Sequence, residues 1–213
     1  RMAQSVADIQ AMYAPYRDEM LGMAPEALLM RFRDGIELLD PRVFEMEDEL
    51  LDRAFLDDAG VGKWPIRVVL GHVADTELVQ TWRIRRTLSE DNPVPATWDE
   101  AAFVDSGIYG GGAPFARGEA IRPATGAFVA AVYTMRQWTA STLAIIPGEL
   151  WERACLHPEF GPLTVREMLA FDTWHLEHHL RFVNLKAERL LGPRPEPEAC
   201  SEGGCARPGC ACG

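Results

Sequence analysis

Thr164-Val165-Arg166-Glu167-Met168-Leu169-Ala170-Phe171-Asp172-Thr173-Trp174-His175-Leu176-Glu177-His178-His179 reads as the first turns of one long helix, which continues to Leu191. Val165, Met168, Leu169, Leu176 and Val183, with Asp172 among them, recur at i, i+3, i+4 and i+7, the spacing of one helical face. Thr164 followed three residues on by Glu167 is a capping-box start. Gly192-Pro193 is a stop. An inward stripe on a helix this long needs other helices to cover it, so the stretch predicts an all-α bundle.

Working outward, the same periodicity predicts helices over Ala24–Asp40, Pro65–Ser89 and Pro123–Ile146, and a weaker outer one over Ser5–Leu21. Leu28, Leu29, Phe32, Ile36 and Leu39 mark the first, and Ile66, Val69, Leu70, Val73 and Ile84 the second. Phe128, Val132, Met135 and Leu143 mark the third. Asp40-Pro41 reads as a cap with Pro at the first helical position, so the chain kinks or restarts there. No stretch alternates with period two, so no major sheet is expected. Asp91–Ile121 is a long connection of about thirty residues, rich in Pro and Gly. Such a crossover lets the helices on either side of it run parallel. The expected architecture is a four-helix bundle over residues 2–192, with an extra N-terminal helix. A Pro/Gly/Cys-rich tail follows over 193–213.

The chain has 213 residues, 47% of them apolar and 25% charged, a balance suited to one folded domain. Lys and Arg number 21 against 32 Asp and Glu, a net charge of −11. That sign opposes binding to phosphate backbones and anionic lipid, so neither nucleic acid nor membrane is an expected partner. Apolar runs such as Val68-Val69-Leu70 are far shorter than the roughly 20 residues that span a bilayer. No secretory pattern is visible. Cys155 stands alone in the body, and Cys200, Cys205, Cys210 and Cys212 crowd the last residues. Without a distributed disulfide framework, a reducing, cytoplasmic setting is expected.

His175 and His179 are one turn apart on one helical face, a spacing that lets two imidazoles reach one metal ion. His179 falls inside the stripe, His175 at its edge and His178 well off it. The helix over 65–89 adds His72, which flanks its own apolar stripe and can face a groove, with Asp75 one turn on. Asp172 sits on the inward stripe, where it can orient a ligand imidazole. The plainer alternative is a set of core-edge histidines bonded to carboxylates.

Trp64-Pro65-Ile66-Arg67-Val68-Val69-Leu70-Gly71-His72-Val73-Ala74-Asp75 resembles a helix signature of the DinB/YfiT-like superfamily, and Leu163–Leu169 with His175 to His179 resembles its last helix. The order also agrees: Trp, His, a long gap, then H-x-x-x-H. The resemblance covers roughly Ala24–Leu191. It implies a four-helix bundle with a long connection between helices two and three. It also implies one divalent metal, often zinc or nickel, held by three histidines at positions matching His72, His175 and His179. The superfamily's name records induction by DNA damage rather than DNA binding.

Three imidazoles leave a bound ion with open positions, the pattern of a catalytic site. The resemblance implies two activities: transfer of a low-molecular-weight thiol to a small-molecule electrophile, or hydrolysis by metal-activated water. Asp75 is the local candidate for a general base or for support of a ligand. A non-catalytic alternative is a metal store or stress-response protein, to which the tail cysteines would add four soft ligands. Apolar outer faces and the resemblance both point to a homodimer. The remaining features read plainly. Gly110-Gly111-Gly112 is expected to be a flexible stretch or lid, and the six tryptophans mostly core, with Trp64 and Trp174 walling the site. Cys155 is expected to be a buried small hydrophobe, and His157 a loop residue.

Overall fold

A computed structural model describes residues 6–56, 59–115 and 118–194. The tail with Cys200, Cys205, Cys210 and Cys212 therefore lies outside the described residues. The long elements are α1 (Val6–Gly22), α2 (Pro25–Asp34), α4 (Ile66–Ser89), α6 (Thr125–Leu143) and α7 (Val165–Leu191), with the short helices α3 (Asp48–Leu51) and α5 (Glu100–Asp105) between them. The capping box forms as expected. The Thr164 side chain accepts from the Glu167 amide, and Glu167 reaches back to the Thr164 amide.

The expected helix over Ala24–Asp40 is shorter and tightens into a 3-10 turn over Gly35–Leu38. Gly35 marks the change because the chain passes close to its neighbours there. A Cβ on it would lie 3.1 Å from the Arg136 guanidinium and 3.3 Å from Leu176. Asp40 then caps a second 3-10 turn, Pro41–Glu45, accepting from the Arg42 amide at 3.0 Å. Both the cap and the Pro at the first position agree with the sequence.

Side-chain pairings give the helix directions. Glu77 meets Arg136 and Thr81 meets Thr139, so α4 and α6 run parallel, as the long crossover allows. His72 meets His175 and Glu77 meets Asp172, so α7 runs antiparallel to α4. Arg31 meets Glu177 and Asn184 meets Leu38, so α2 runs with α7. The outer helix α1 packs against α7 through Tyr13, whose ring lies 5.4 Å from Phe171 and 5.2 Å from Trp174.

The core has three layers. One hydrophobic cluster holds Ile36, Val73, Val132 and Leu176, and another holds Leu28, Ile84, Ala140 and Leu169. Between them lies a buried ionic layer. Arg136 donates to Glu77 at 2.7 Å, to the Phe32 carbonyl at 2.6 Å and to the Asp172 carbonyl at 2.9 Å. The Asp172 carboxylate lies 3.7 Å from the same guanidinium.

Several details are corrected, although no major sheet forms among the described residues, as expected. Two small antiparallel hairpins are present: β1 (Pro114–Phe115) with β2 (Glu119–Ala120), and β3 (Ala154–His157) with β4 (Gly161–Thr164). Both are too short to show alternation in sequence. His157 ends β3 and is 3% exposed rather than lying on an open loop. The three glycines are not a loose lid. All have positive φ, and a Cβ on Gly110 would lie 2.5 Å from the Ile121 carbonyl, one on Gly111 2.5 Å from Val68. Gly110 and Gly111 carry the crossover tightly past the start of α4. The tryptophans are not mostly core, because Trp82 and Trp138 stand 62% and 50% exposed on α4 and α6.

Candidate metal centre

His72 projects from the second turn of α4, and His175 and His179 from successive turns of α7. The inward stripe of α7 is buried throughout, which carries this pair to the helix seam. The three rings converge through one kind of atom. His72 Nε2 lies 3.3 Å from His175 Nε2, and His179 Nε2 lies 3.1 Å from His175 Nε2. All three ligand atoms fall within 4.8 Å of one another. In a tetrahedral zinc site with Zn–N near 2.0–2.1 Å, neighbouring nitrogens stand about 3.3 Å apart. The observed spacing suits one ion on the cleft side of the three rings.

The electrostatics agree. Burial lowers the pKa of His72 to about 4. His175 and His179 are held well below the usual imidazole range, by burial first and then by their neighbours in the cluster. The three rings are therefore neutral at physiological pH, with lone pairs available. Three neutral imidazoles facing one point cannot all satisfy one another by hydrogen bonds, whereas a cation satisfies all three. His72 Nδ1 is buried without a hydrogen-bond partner, which leaves Nε2 as its bonding atom.

Each ring lies against an aromatic face. Trp64 stacks on His179 at an interplanar angle of 6°, Trp98 on His72 at 15° and Phe171 on His175 at 28°. These contacts restrict ring rotation and keep water off the outer edges. Trp64 and Trp174 do line the site, as expected. Trp98 gave no sequence signal, being one tryptophan in the long connection.

His178 behaves as its phase predicts. Its ring packs on Trp174 and Phe182, at 5.2 and 5.1 Å, and stays out of the nitrogen cluster. Asp172 is placed in the ionic layer, facing Arg136 and Glu77 rather than an imidazole. Burial raises the pKa of both carboxyls, with Arg136 opposing, so one cation faces two acids. Asp75 accepts from the Tyr109 hydroxyl at 2.7 Å and does not line the cleft. The structure thus brings His72, His175 and His179 together and sets Asp172 and Asp75 apart from them.

The centre opens into a cleft of about 780 Å³ that runs along α4 between α1, α7 and the 93–101 segment. His72, Thr76, Gln80 and Arg83 form one row of its floor, each about one turn from the last.

A sequence profile of the DinB superfamily matches residues 31–183. The chain belongs to that superfamily. Among similar proteins is one named "Putative metal-dependent hydrolase OB0782" from Oceanobacillus iheyensis, 24% identical over 71% of this chain and 79% of its own length. Another is named "Putative metal-dependent hydrolase YfiT" from Bacillus subtilis, 23% identical over 68% of this chain and 74% of its own. The solved structure of YfiT aligns with a TM-score of 0.65 at 20% identity, over 79% of this chain and 90% of YfiT, and is described as a four-helix bundle of unusual topology. The DinB fold expected from the sequence is therefore the fold of this chain. No helix among the described residues is long and apolar enough to cross a membrane.

Proposed function

We propose that this chain is a metal-dependent enzyme that transfers a low-molecular-weight thiol to a small electrophile, with a divalent ion, zinc or nickel, held by His72, His175 and His179. The observation that supports this best is the convergence of three neutral Nε2 atoms on the wall of a large cleft. When bound, such an ion supplies Lewis acidity, which favours the ionised form of a thiol or of water.

The chain's own residues do the rest. Burial keeps the imidazoles unprotonated, and the Trp64, Trp98 and Phe171 faces hold them in place. In the transfer the S–H bond breaks and an S–C bond forms. The leaving group departs with its electron pair, and the thiol proton passes to solvent. Thiol transfer is preferred over hydrolysis because a thiol ionises readily, whereas attack by water draws on a general base. Among the described residues no carboxylate joins the histidine group, and Asp75 is engaged by Tyr109. Asp75 then acts by positioning Tyr109 behind α4. Hydrolysis is the second reading, favoured by the names that the relatives carry.

The homodimer belongs to the same proposal. Leu78, Trp82 and Trp138 leave an apolar outer face on α4 and α6. A reducing cytoplasm suits both the thiol chemistry and the free Cys155.

The test is a zinc- or nickel-loaded preparation assayed with a panel of thiols and monochlorobimane, and with a p-nitrophenyl ester in the absence of thiol. Thiol-dependent product formation that disappears in His179→Ala is expected. Thiol-independent ester cleavage would select the hydrolase. Stoichiometric metal with neither activity would select a store. Truncation after Leu191 should leave one metal per chain and the activity intact, whereas metal lost on truncation would assign it to the tail cysteines.

A further inference from the structure

The floor of the cleft does not end at the histidines. Arg83 lies eleven residues beyond His72 on α4, about 16 Å along the helix at 1.5 Å per residue. Its Nη2 donates to the Ala96 carbonyl at 3.2 Å, while its Nε is buried without a partner. No carboxylate lies in ion-pair range of it among the described residues, unlike Arg17, Arg31, Arg67 or Arg136.

His157 borders the same end of the cleft, because β3 runs beside the last turns of α4. Arg153 donates to the Thr87 and Glu90 carbonyls, and the Leu156 amide donates to Pro93. The His157 tautomer is fixed by its turn. Nδ1 accepts from the amides of Glu159 at 3.2 Å and Phe160 at 3.4 Å, so Nε2 carries the hydrogen. That N–H is buried and unpartnered, on a residue 3% exposed that lines the cleft. Burial first, and then the nearby Arg83 charge, hold His157 neutral, its pKa lowered to about 4. A buried donor left without an acceptor costs about 1–3 kcal/mol. Two such donors, one of them charged, meet at one end of one cavity.

We propose that Arg83 and His157 form a carboxylate-binding subsite that anchors the far end of the small molecule whose reactive end lies at the three histidines. The inference rests on the reading of the cleft as the substrate site and extends it to a substrate class. One guanidinium charge matches a monoanion. Glu100 and Glu159, which also line this cleft, disfavour a phosphate dianion. Thr76 and Gln80, between the two ends on α4, face the middle of such a molecule. The bound molecule is thus an acid whose carboxylate and reactive group are separated by a chain of several bonds.

The experiment measures binding rather than turnover. The zinc-loaded full chain is titrated calorimetrically with straight-chain ω-mercapto acids of increasing length and with the matching primary amides. A second arm uses plain alkanoates and alkanamides on His179→Ala. At the length that spans the two ends, the acid should bind on the order of tenfold more tightly than the amide, as expected for a hydrogen bond to a charged group. Arg83→Gln should abolish that preference at unchanged metal content. Equal binding of acid and amide at every length would overturn the subsite, as would an acid preference that survives in Arg83→Gln. The wild-type comparison needs no variant to fold. The alkanoate arm separates the two readings, because a preference for acids that persists without metal supports the subsite even if thiol transfer fails.

Discussion

At the residue scale the assignment turns on phase. His175 and His179 share a face with the seam between α4 and α7, and His178 is rotated onto Trp174 and Phe182. Replacing His179 by Ala removes one of the three proposed ligands, so most of the bound metal should be lost. Because metal bound to the folded state stabilises it by mass action, the melting temperature should also fall. His178→Ala should keep about one metal per chain, with only a modest loss from the missing ring contacts. Elemental analysis of the two purified variants decides the point. An empty site in His178→Ala beside a full one in His175→Ala would sink the three-histidine assignment. The histidine cluster was legible because helical spacing is a local property of sequence. Arg83 and His157 were not. Arg83 sits in Arg83-Ile84-Arg85-Arg86, where composition does not separate the arginine that lines the cleft from its equally half-buried neighbours. Extending the row His72, Thr76, Gln80 by one more turn would have singled it out. His157 depends on a tautomer that only the folded turn at Glu159 and Phe160 sets.

At the element scale four helices are held in register by one buried arginine. Arg136 on α6 bonds α4 through Glu77, α2 through the Phe32 carbonyl and α7 through the Asp172 carbonyl. It sits between two apolar clusters, so sliding any helix by one turn would bury it against hydrocarbon. Arg136→Met keeps much of the volume but leaves two buried carboxyls without their cation, while the Phe32 carbonyl keeps only its bond from the Gly35 amide. Breaking a buried ion pair from one side costs about 3–5 kcal/mol, partly relieved here because the acids can remain protonated. Urea unfolding should show a loss of that order, against less than about 0.5 kcal/mol for a change at an exposed position such as Arg53→Met. A loss below 1 kcal/mol would mean that the layer carries no net stability. Asp172 explains why the sequence misassigned this layer. Periodicity places it correctly on the inward stripe, but its nearest polar neighbours along the chain are the histidines. Arg136, far away in sequence, had no local mark of burial. The bundle itself was legible from apolar spacing and caps. The β3–β4 hairpin was not, since Gly161 and Pro162 interrupt a strand of only four residues.

At the scale of the whole molecule the histidines act together. All five have pKa values lowered chiefly by burial: His72 and His157 to about 4, His178 below its usual value, and His175 and His179 well below it. In the unfolded chain each takes up a proton near pH 6.5. Between about pH 6.5 and 4 the unfolded state therefore binds protons that the folded state refuses. A group depressed in this way contributes stability that is complete above pH 6.5 and is lost as pH falls. Each proton of difference is worth about 1.4 kcal/mol per pH unit. Glu77, Asp172 and Glu100 work the other way. Burial raises their pKa values, so the folded state holds protons that the unfolded state has released. Arg136 restrains that rise for the first two, so five histidines outweigh three carboxyls. The metal-free protein should therefore lose stability from pH 7.5 to pH 5, where most soluble domains are still near their optimum. The measurement is the urea midpoint of chelator-treated protein across that range. His157→Gln, which removes one of the five, should flatten the dependence by about one proton without touching the metal ligands. A midpoint that stays level or rises on acidification would mean that the cluster is hydrated without its ion, and that burial alone does not hold the imidazoles ready for metal.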